Sequence, residues 1–143
     1  MAGVMAQRVL LAEDEPNIVE SLRFLLERAG YAVDVRDTGT AALETVLTDP
    51  PDLLILDVML PEVDGFEILR QVRGSKSAAT VPVLMLTAKG QREDRERAMS
   101  CGADLFISKP FGNSELIEAV GKLVGQTGSS AAPAGAGASL PAE

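Results

Sequence analysis

Histidine is absent from the 143 residues, which removes Ser-His-Asp and Cys-His nucleophile arrangements and every His-ligated zinc site. A metal site here would be built mostly from oxygen, which favours Mg2+, Mn2+ or Ca2+. The single cysteine, Cys101, excludes an intrachain disulfide and fits a reducing compartment. Five aromatic residues (Phe24, Tyr31, Phe66, Phe106 and Phe111) are too few for a base-stacking platform. No apolar run approaches the roughly 20 residues that a bilayer span needs. Residues 1–7 have neither a basic start nor a long apolar stretch, so no signal peptide is expected. A formal net charge of -8 argues against a broad nucleic-acid surface, which needs clustered Lys and Arg. The expectation is a cytoplasmic protein that touches neither membrane nor nucleic acid directly.

What is present reads as one globular domain with a hydrophobic core: 46% of residues are hydrophobic and 24% charged. The organising stretch is 53–57, where four apolar residues, Leu53 to Leu56, stop at the carboxylate of Asp57. An unbroken apolar run this short, with prolines on both sides, reads as a strand buried on both faces of a helix-covered parallel sheet. In such sheets ligands sit beyond the carboxyl ends of the strands. Taken alone, Asp57 fits either that role or a cap for the next helix.

The rest of the chain repeats the pattern. Strands are predicted over 8–12, 32–36, 81–86 and 105–108, and helices over 16–29, 39–47, 65–72, 91–101 and from 114 to about 124. Pro16 suits a first helical turn, and Gly30 and Gly102 suit helix ends. Helix 91–101 is charged and weakly amphipathic, so it is expected to lie shallow on the surface. Five strands alternating with five helices predict a doubly wound α/β fold with a parallel sheet in the order 2-1-3-4-5. The expected domain spans 8–125. Residues 1–7 form an N-terminal extension, and the Gly-, Ala-, Ser- and Pro-rich residues 126–143 a flexible tail.

In that order the first strand ends at Glu13-Asp14, the third at Asp57, the fourth at Thr87 and the fifth at Lys109, all on one sheet edge. Two unit charges about 4 Å apart cost roughly 4 kcal/mol at an effective dielectric near 20. Three clustered acids therefore call for a cation, and oxygen ligands with room for water favour Mg2+. Lys109 adds a point charge for phosphate, Thr87 a hydroxyl and Ala88 a backbone N–H. A metal, an ammonium, a hydroxyl and a carboxylate nucleophile are the parts for phosphoryl transfer onto Asp57.

These residues resemble the receiver domain of bacterial two-component response regulators, the chemotaxis-regulator fold. The resemblance is carried by Glu13-Asp14, Leu56-Asp57 with Met59, Leu60-Pro61, Asp64-Gly65, Leu86-Thr87-Ala88 and Lys109-Pro110-Phe111. It covers about 8 to 124. It implies that Asp57 accepts a phosphoryl group from a sensor histidine kinase or a histidine phosphotransfer protein. It further implies Mg2+, with Mn2+ able to substitute, on Asp14, Asp57 and the Met59 carbonyl, with Glu13 acting through water. Thr87, Ala88 and Lys109 would bind the phosphoryl oxygens, and the Lys109-Pro110 bond would be cis. Thr87 and Phe106 would form a switch, Phe106 turning into space that Thr87 vacates; by strand pattern alone Phe106 reads as a core aromatic. Met59 and Lys89 occupy positions that adjust dephosphorylation, and an apolar Met59 predicts a long-lived phosphoryl state. Members of that family that dimerise through the last helix usually carry arginine there; with Lys122 and no arginine in this helix, the resemblance implies a monomer or a weak phosphorylation-dependent dimer.

The expected function is a stand-alone response regulator whose fourth-helix, fifth-strand and fifth-helix surface controls a downstream protein, without turnover of a separate substrate. A pseudo-receiver that binds partners without phosphorylation is the alternative. An aspartyl-phosphate phosphatase would want a second Asp where Met59 stands, and a flavin binder a phosphate-cradling loop where Glu13-Asp14-Glu15 stands.

Overall fold

Five parallel strands follow from five short apolar segments that each end at a polar residue or a turn. The computed structural model describes residues 6–87 and 92–129. In chain order the elements are β1 (Arg8–Ala12), α1 (Pro16–Arg28), β2 (Ala32–Arg36), α2 (Gly39–Thr48) and β3 (Leu53–Asp57). There follow α3 (Gly65–Arg73), β4 (Val83–Thr87), α4 (Arg92–Ser100), β5 (Leu105–Ser108) and α5 (Asn113–Ser129). The strand order is β2-β1-β3-β4-β5 with every pair parallel, as the sequence predicts.

The inner strands β3 and β4 are buried at every position. Alternate residues feed two cores. Leu10, Leu54, Leu56, Val83 and Met85 pack against Ala42 and Val46 of α2, Phe66, Ile68 and Leu69 of α3, and Ala98 of α4. Val9, Leu11, Leu53, Ile55, Leu84 and Leu86 pack against Leu22 and Leu26 of α1 and Leu116 and Val120 of α5. Each buried Leu or Ile contributes about 1.5–3 kcal/mol of transfer free energy, which explains why the sheet sits in the middle.

Helix ends follow local chemistry. Pro16 opens α1, while Gly30 and Gly102 take positive φ just beyond α1 and α4. Asp64 caps α3 by accepting from the Glu67 N–H at 2.9 Å, so the cap of that helix is Asp64 and not Asp57. Helix α4 lies shallow, with Ala98 its buried residue among those described.

Two boundaries differ from expectation by more than one residue. β4 begins at Val83 rather than Val81, because Pro82 has no N–H for the ladder; its carbonyl still accepts from Leu54 N–H at 2.9 Å. α5 runs on to Ser129, past the expected end near Val124. No proline interrupts the chain between Pro110 and Pro133, so the backbone can continue helically without apolar residues to bury. No helix among the described residues is long and apolar enough to cross a membrane.

Candidate functional site

The parallel registers bring the ends of β1, β3, β4 and β5 to one edge: Ala12 pairs with Leu56, Asp57 with Leu86, and Thr87 with Ser108. The next residue in each strand or turn is then the one with chemistry. Carboxylate oxygens of Glu13, Asp14 and Asp57 all lie within 4.8 Å of one another. Glu13 and Asp57 are buried, at 0% and 3% exposure, whereas Asp14 is exposed.

Lys109 reaches this cluster from beyond β5. Its Nζ lies 3.0 Å from Glu13 Oε1 and 3.4 Å from Asp57 Oδ1. The Lys109–Pro110 bond is cis, and the Lys109 N–H donates to the Thr87 carbonyl at 2.7 Å, tying the lysine's backbone to the end of β4. Glu13 Oε2 accepts from the Glu15 N–H at 3.1 Å. Glu13 Oε1 is buried without a hydrogen bond; its contact with the ammonium is one of charge and distance, not of hydrogen-bond angle.

Electrostatics follow from this crowding. Burial pushes the Asp57 carboxyl above its ordinary value, Lys109 and the Met59 backbone N–H pull it back, and Asp14 adds to the rise. Glu13 is likewise raised by burial, opposed by Lys109 and reinforced by Asp57. Burial lowers the Lys109 ammonium, but Glu13 and Asp57 together outweigh it and hold the lysine above its usual value. One ammonium thus contacts two carboxyl groups of a cluster of three.

A divalent cation fits this donor set. Three oxygen ligands converge, and the buried Glu13 Oε1 has no hydrogen bond. Hard cations with oxygen ligands and retained waters match such a cleft.

The remaining expected residues fall around it. Thr87 is buried at the end of β4 and lies on the same sheet face as Met85, whose cross-strand partner is Phe106. Thr87 and Phe106 therefore share a face on neighbouring strands, and Phe106 is partly buried against the α2–α3–α4 core. Met59 is 70% exposed on the loop after β3. Ala88 and Lys89 lie outside the described residues.

Sequence reasoning gave Glu13 a role through water at a metal; it did not foresee the direct ion pair with Lys109. The longer Glu side chain beside a lysine on the same sheet edge was the available signal. Nor did it supply a reason for Gly65. A Cβ there would stand 3.0 Å from Val58 Cα and 3.1 Å from the Asp57 carbonyl carbon, and closer still to that carbonyl's oxygen, so α3 can start this near Asp57 only at a glycine.

Comparison with known proteins is consistent with this geometry. A family model described as the response regulator receiver domain matches residues 9–121. The alkaline phosphatase synthesis transcriptional regulatory protein PhoP of Bacillus subtilis is 42% identical over 112 residues, 78% of this chain and 46% of that protein. The response regulator MprA of Mycobacterium tuberculosis is 38% identical over 123 residues, 86% of this chain and 53% of that protein. The chain spans about half the length of these curated relatives. A similar solved structure is the receiver domain of a Pseudomonas aeruginosa PAO1 sensor histidine kinase with a magnesium ion coordinated in its active-site cleft. It has a TM-score of 0.79 and 29% identity, and the match covers 85% of this chain and 99% of that one. The chemotaxis response regulator CheY4 of Vibrio cholerae has a TM-score of 0.78 at 28% identity, covering 83% of this chain and 99% of that one.

Proposed function

The chain belongs to the response regulator receiver domain family, and from that premise we propose that Asp57 accepts a phosphoryl group from a phosphohistidine. The donor is a sensor histidine kinase or a histidine phosphotransfer protein. The observation that carries the reading is the convergence of the Glu13, Asp14 and Asp57 carboxylates with the Lys109 ammonium at one sheet edge.

In the reaction an Asp57 carboxylate oxygen attacks phosphorus, an O–P bond forms, the N–P bond of the donor breaks, and the imidazole leaves and takes up a proton. Asp14, Asp57 and the Met59 carbonyl would hold Mg2+, with Glu13 acting through water; Mn2+ would serve in its place. When bound, the ion neutralises the carboxylates and the charge gathering on the phosphoryl oxygens. Lys109 moves from its place beside Glu13 and Asp57 to contact a phosphoryl oxygen as a point charge. Thr87 and the Ala88 N–H donate to the others.

An aspartyl phosphate brings close to two negative charges and three acceptor oxygens. Thr87 moves toward them, and Phe106, on the same sheet face, turns into the space left behind. That biases the surface formed by α4, β5 and α5 between two states, and a downstream protein binds one of them better. The domain acts as a switch, with no separate substrate turned over.

The test is intact mass after incubation with acetyl phosphate or phosphoramidate, with Mg2+, with chelator, and with Asp57→Asn. One added phosphoryl group that requires both Mg2+ and Asp57 is expected. A folded protein with no adduct under any condition would turn the reading toward a phosphorylation-independent binding module.

A further inference from the structure

We propose that Gly39, the first residue of α2, is a positioning residue for the Asp57 site, holding the β3–α3 loop in the place from which that loop orients the Asp57 carboxylate. The inference rests on Asp57 being the phosphoryl acceptor and adds a residue from an element that contributes no side chain to the cleft.

The loop, residues 58–64, leaves the sheet directly from Asp57, and its Met59 backbone N–H opposes the rise that burial imposes on the Asp57 carboxyl. Most of its restraints are its own or come from the sheet. Val58 N–H donates to Leu86 O at 2.9 Å, Gly65 N–H to Val58 O at 2.9 Å, and Val63 N–H to Pro61 O at 2.8 Å. Glu62 turns the chain there with a φ of 74°. Val58, Leu60 and Val63 also pack into the core, and one backbone hydrogen bond reaches the loop from α2: Gly39 N–H donates to Pro61 O at 2.8 Å.

That bond needs a glycine for one reason. Gly39 is buried, and a Cβ on it would lie 2.7 Å from the Val63 carbonyl carbon and 2.9 Å from Val63 Cα, with the carbonyl oxygen closer still. All three are backbone atoms, so no rotamer change relieves the clash. The positive-φ glycines described are Gly30 and Gly102, so close approach and not dihedral freedom selects the residue at 39. Alanine would drive the loop and α2 apart by roughly 1 Å or more before contact becomes tolerable. The Thr38 hydroxyl still caps α2 by accepting from the Ala41 N–H, and alanine is the better helix former, so a loss cannot come from helix propensity.

The experiment compares the full chain with Gly39→Ala and, as a control, Gly121→Ala on α5, where a Cβ meets nothing within 4 Å. Mg2+ affinity is read by calorimetry, and phosphorylation by phosphoramidate at saturating Mg2+ by intact mass. Gly39→Ala is expected to lower the phosphorylation rate about 10-fold or more and to weaken Mg2+ binding, since displacement by about 1 Å can cost that much at a reacting centre. Gly121→Ala should match the parent. A folded Gly39→Ala protein with lowered melting temperature but unchanged Mg2+ affinity and rate overturns the proposal, because packing alone would account for it. Should that variant not fold, amide exchange in the unmodified protein decides. Mg2+ should slow exchange of the Gly39 N–H several-fold more than that of the Gly102 N–H, and equal responses overturn the proposal. A parent chain that takes up neither Mg2+ nor phosphoryl group overturns the acceptor reading itself, an outcome distinct from an unaffected Gly39→Ala in a competent parent.

Discussion

The Lys109 ammonium lies 3.0 Å from Glu13 Oε1, joining the turn after β5 to the end of β1 across the whole width of the cleft. Both side chains are mostly buried, at 13% and 1% exposure, so the pair is poorly screened by solvent. Removing one partner leaves a buried charge exposed to its like neighbours. Lys109→Ala in chelator is therefore expected to lose about 3 kcal/mol of stability, the range seen when one half of a buried pair is removed. Urea unfolding measures it, and Mg2+ should recover much of the loss by neutralising the same carboxylates. A variant as stable as the parent would show that solvent already neutralises the site.

Asp57 gives the pH dependence. Burial raises its carboxyl above the ordinary value. As pH rises, the unfolded chain releases this proton first, so the unfolded state binds fewer protons and folding stability falls through that window. Asn cannot ionise. In chelator, Asp57→Asn should match the parent below the ordinary carboxylate range and become progressively more stable than it as pH rises above that range. Glu13, raised in part by Asp57, shifts the same way. Urea titrations across that range test the trend, and a pH-independent difference would contradict it.

Mg2+ should stabilise the folded state by mass action. At about 100 times its dissociation constant the gain is about 2.7 kcal/mol. Asp14→Asn removes the exposed member of the acidic cluster and should abolish most of that gain while leaving the chelated protein close to the parent. Thermal unfolding with and without Mg2+ separates the two effects; an Asp14→Asn protein that keeps the full gain would remove Asp14 from the ligand set.

Arg73 ties the far end of the sheet together. Its guanidinium donates to the carbonyls of Gly102 at 2.9 Å, Ala79 at 3.0 Å and Val81 at 2.6 Å, and to Asp104 Oδ2 at 2.9 Å. Lysine cannot reproduce a planar fork with several donors. Arg73→Lys should cost about 2–3 kcal/mol through unsatisfied carbonyls, with little effect on phosphorylation because the cluster lies at the opposite strand ends. Chemical denaturation tests the first part and intact mass the second. A stability change within about 0.5 kcal/mol would assign the cluster to the ordinary run of surface contacts.

Under the proposed phosphoryl transfer to Asp57, Met59 would bear on the lifetime of the phosphoryl state. It is 70% exposed and apolar, with nothing in its side chain to orient an attacking water. Met59→Asn supplies an amide and should shorten the lifetime by about 10-fold or more, within the range typical of positioned proton-transfer groups. Following loss of the added mass over time after removing the donor measures it, and a parent half-life of seconds at neutral pH would contradict the reading.

Much of this molecule was legible in its sequence because burial leaves a local signature. Apolar runs such as Leu53 to Leu56 exist only where both sheet faces are covered, and Pro16, Gly30 and Gly102 mark helix ends by their own dihedral limits. Parallel strands with right-handed crossovers then bring Glu13, Asp14, Asp57, Thr87 and Lys109 to one edge, since each ends its strand or stands within two residues of that end. What the sequence could not decide depends on distances between segments far apart in the chain. That Asp64 rather than Asp57 caps α3 required the positions of both relative to the Glu67 N–H. The pairing of Lys109 with Glu13 required knowing how far each side chain reaches across the cleft. The glycines at 39 and 65 face backbone 24 and 8 residues away, Val63 and Asp57, and a steric demand of that kind exists only once the chain has folded back on itself. Local propensity set the elements and their order; contacts between elements fixed the geometry of the site.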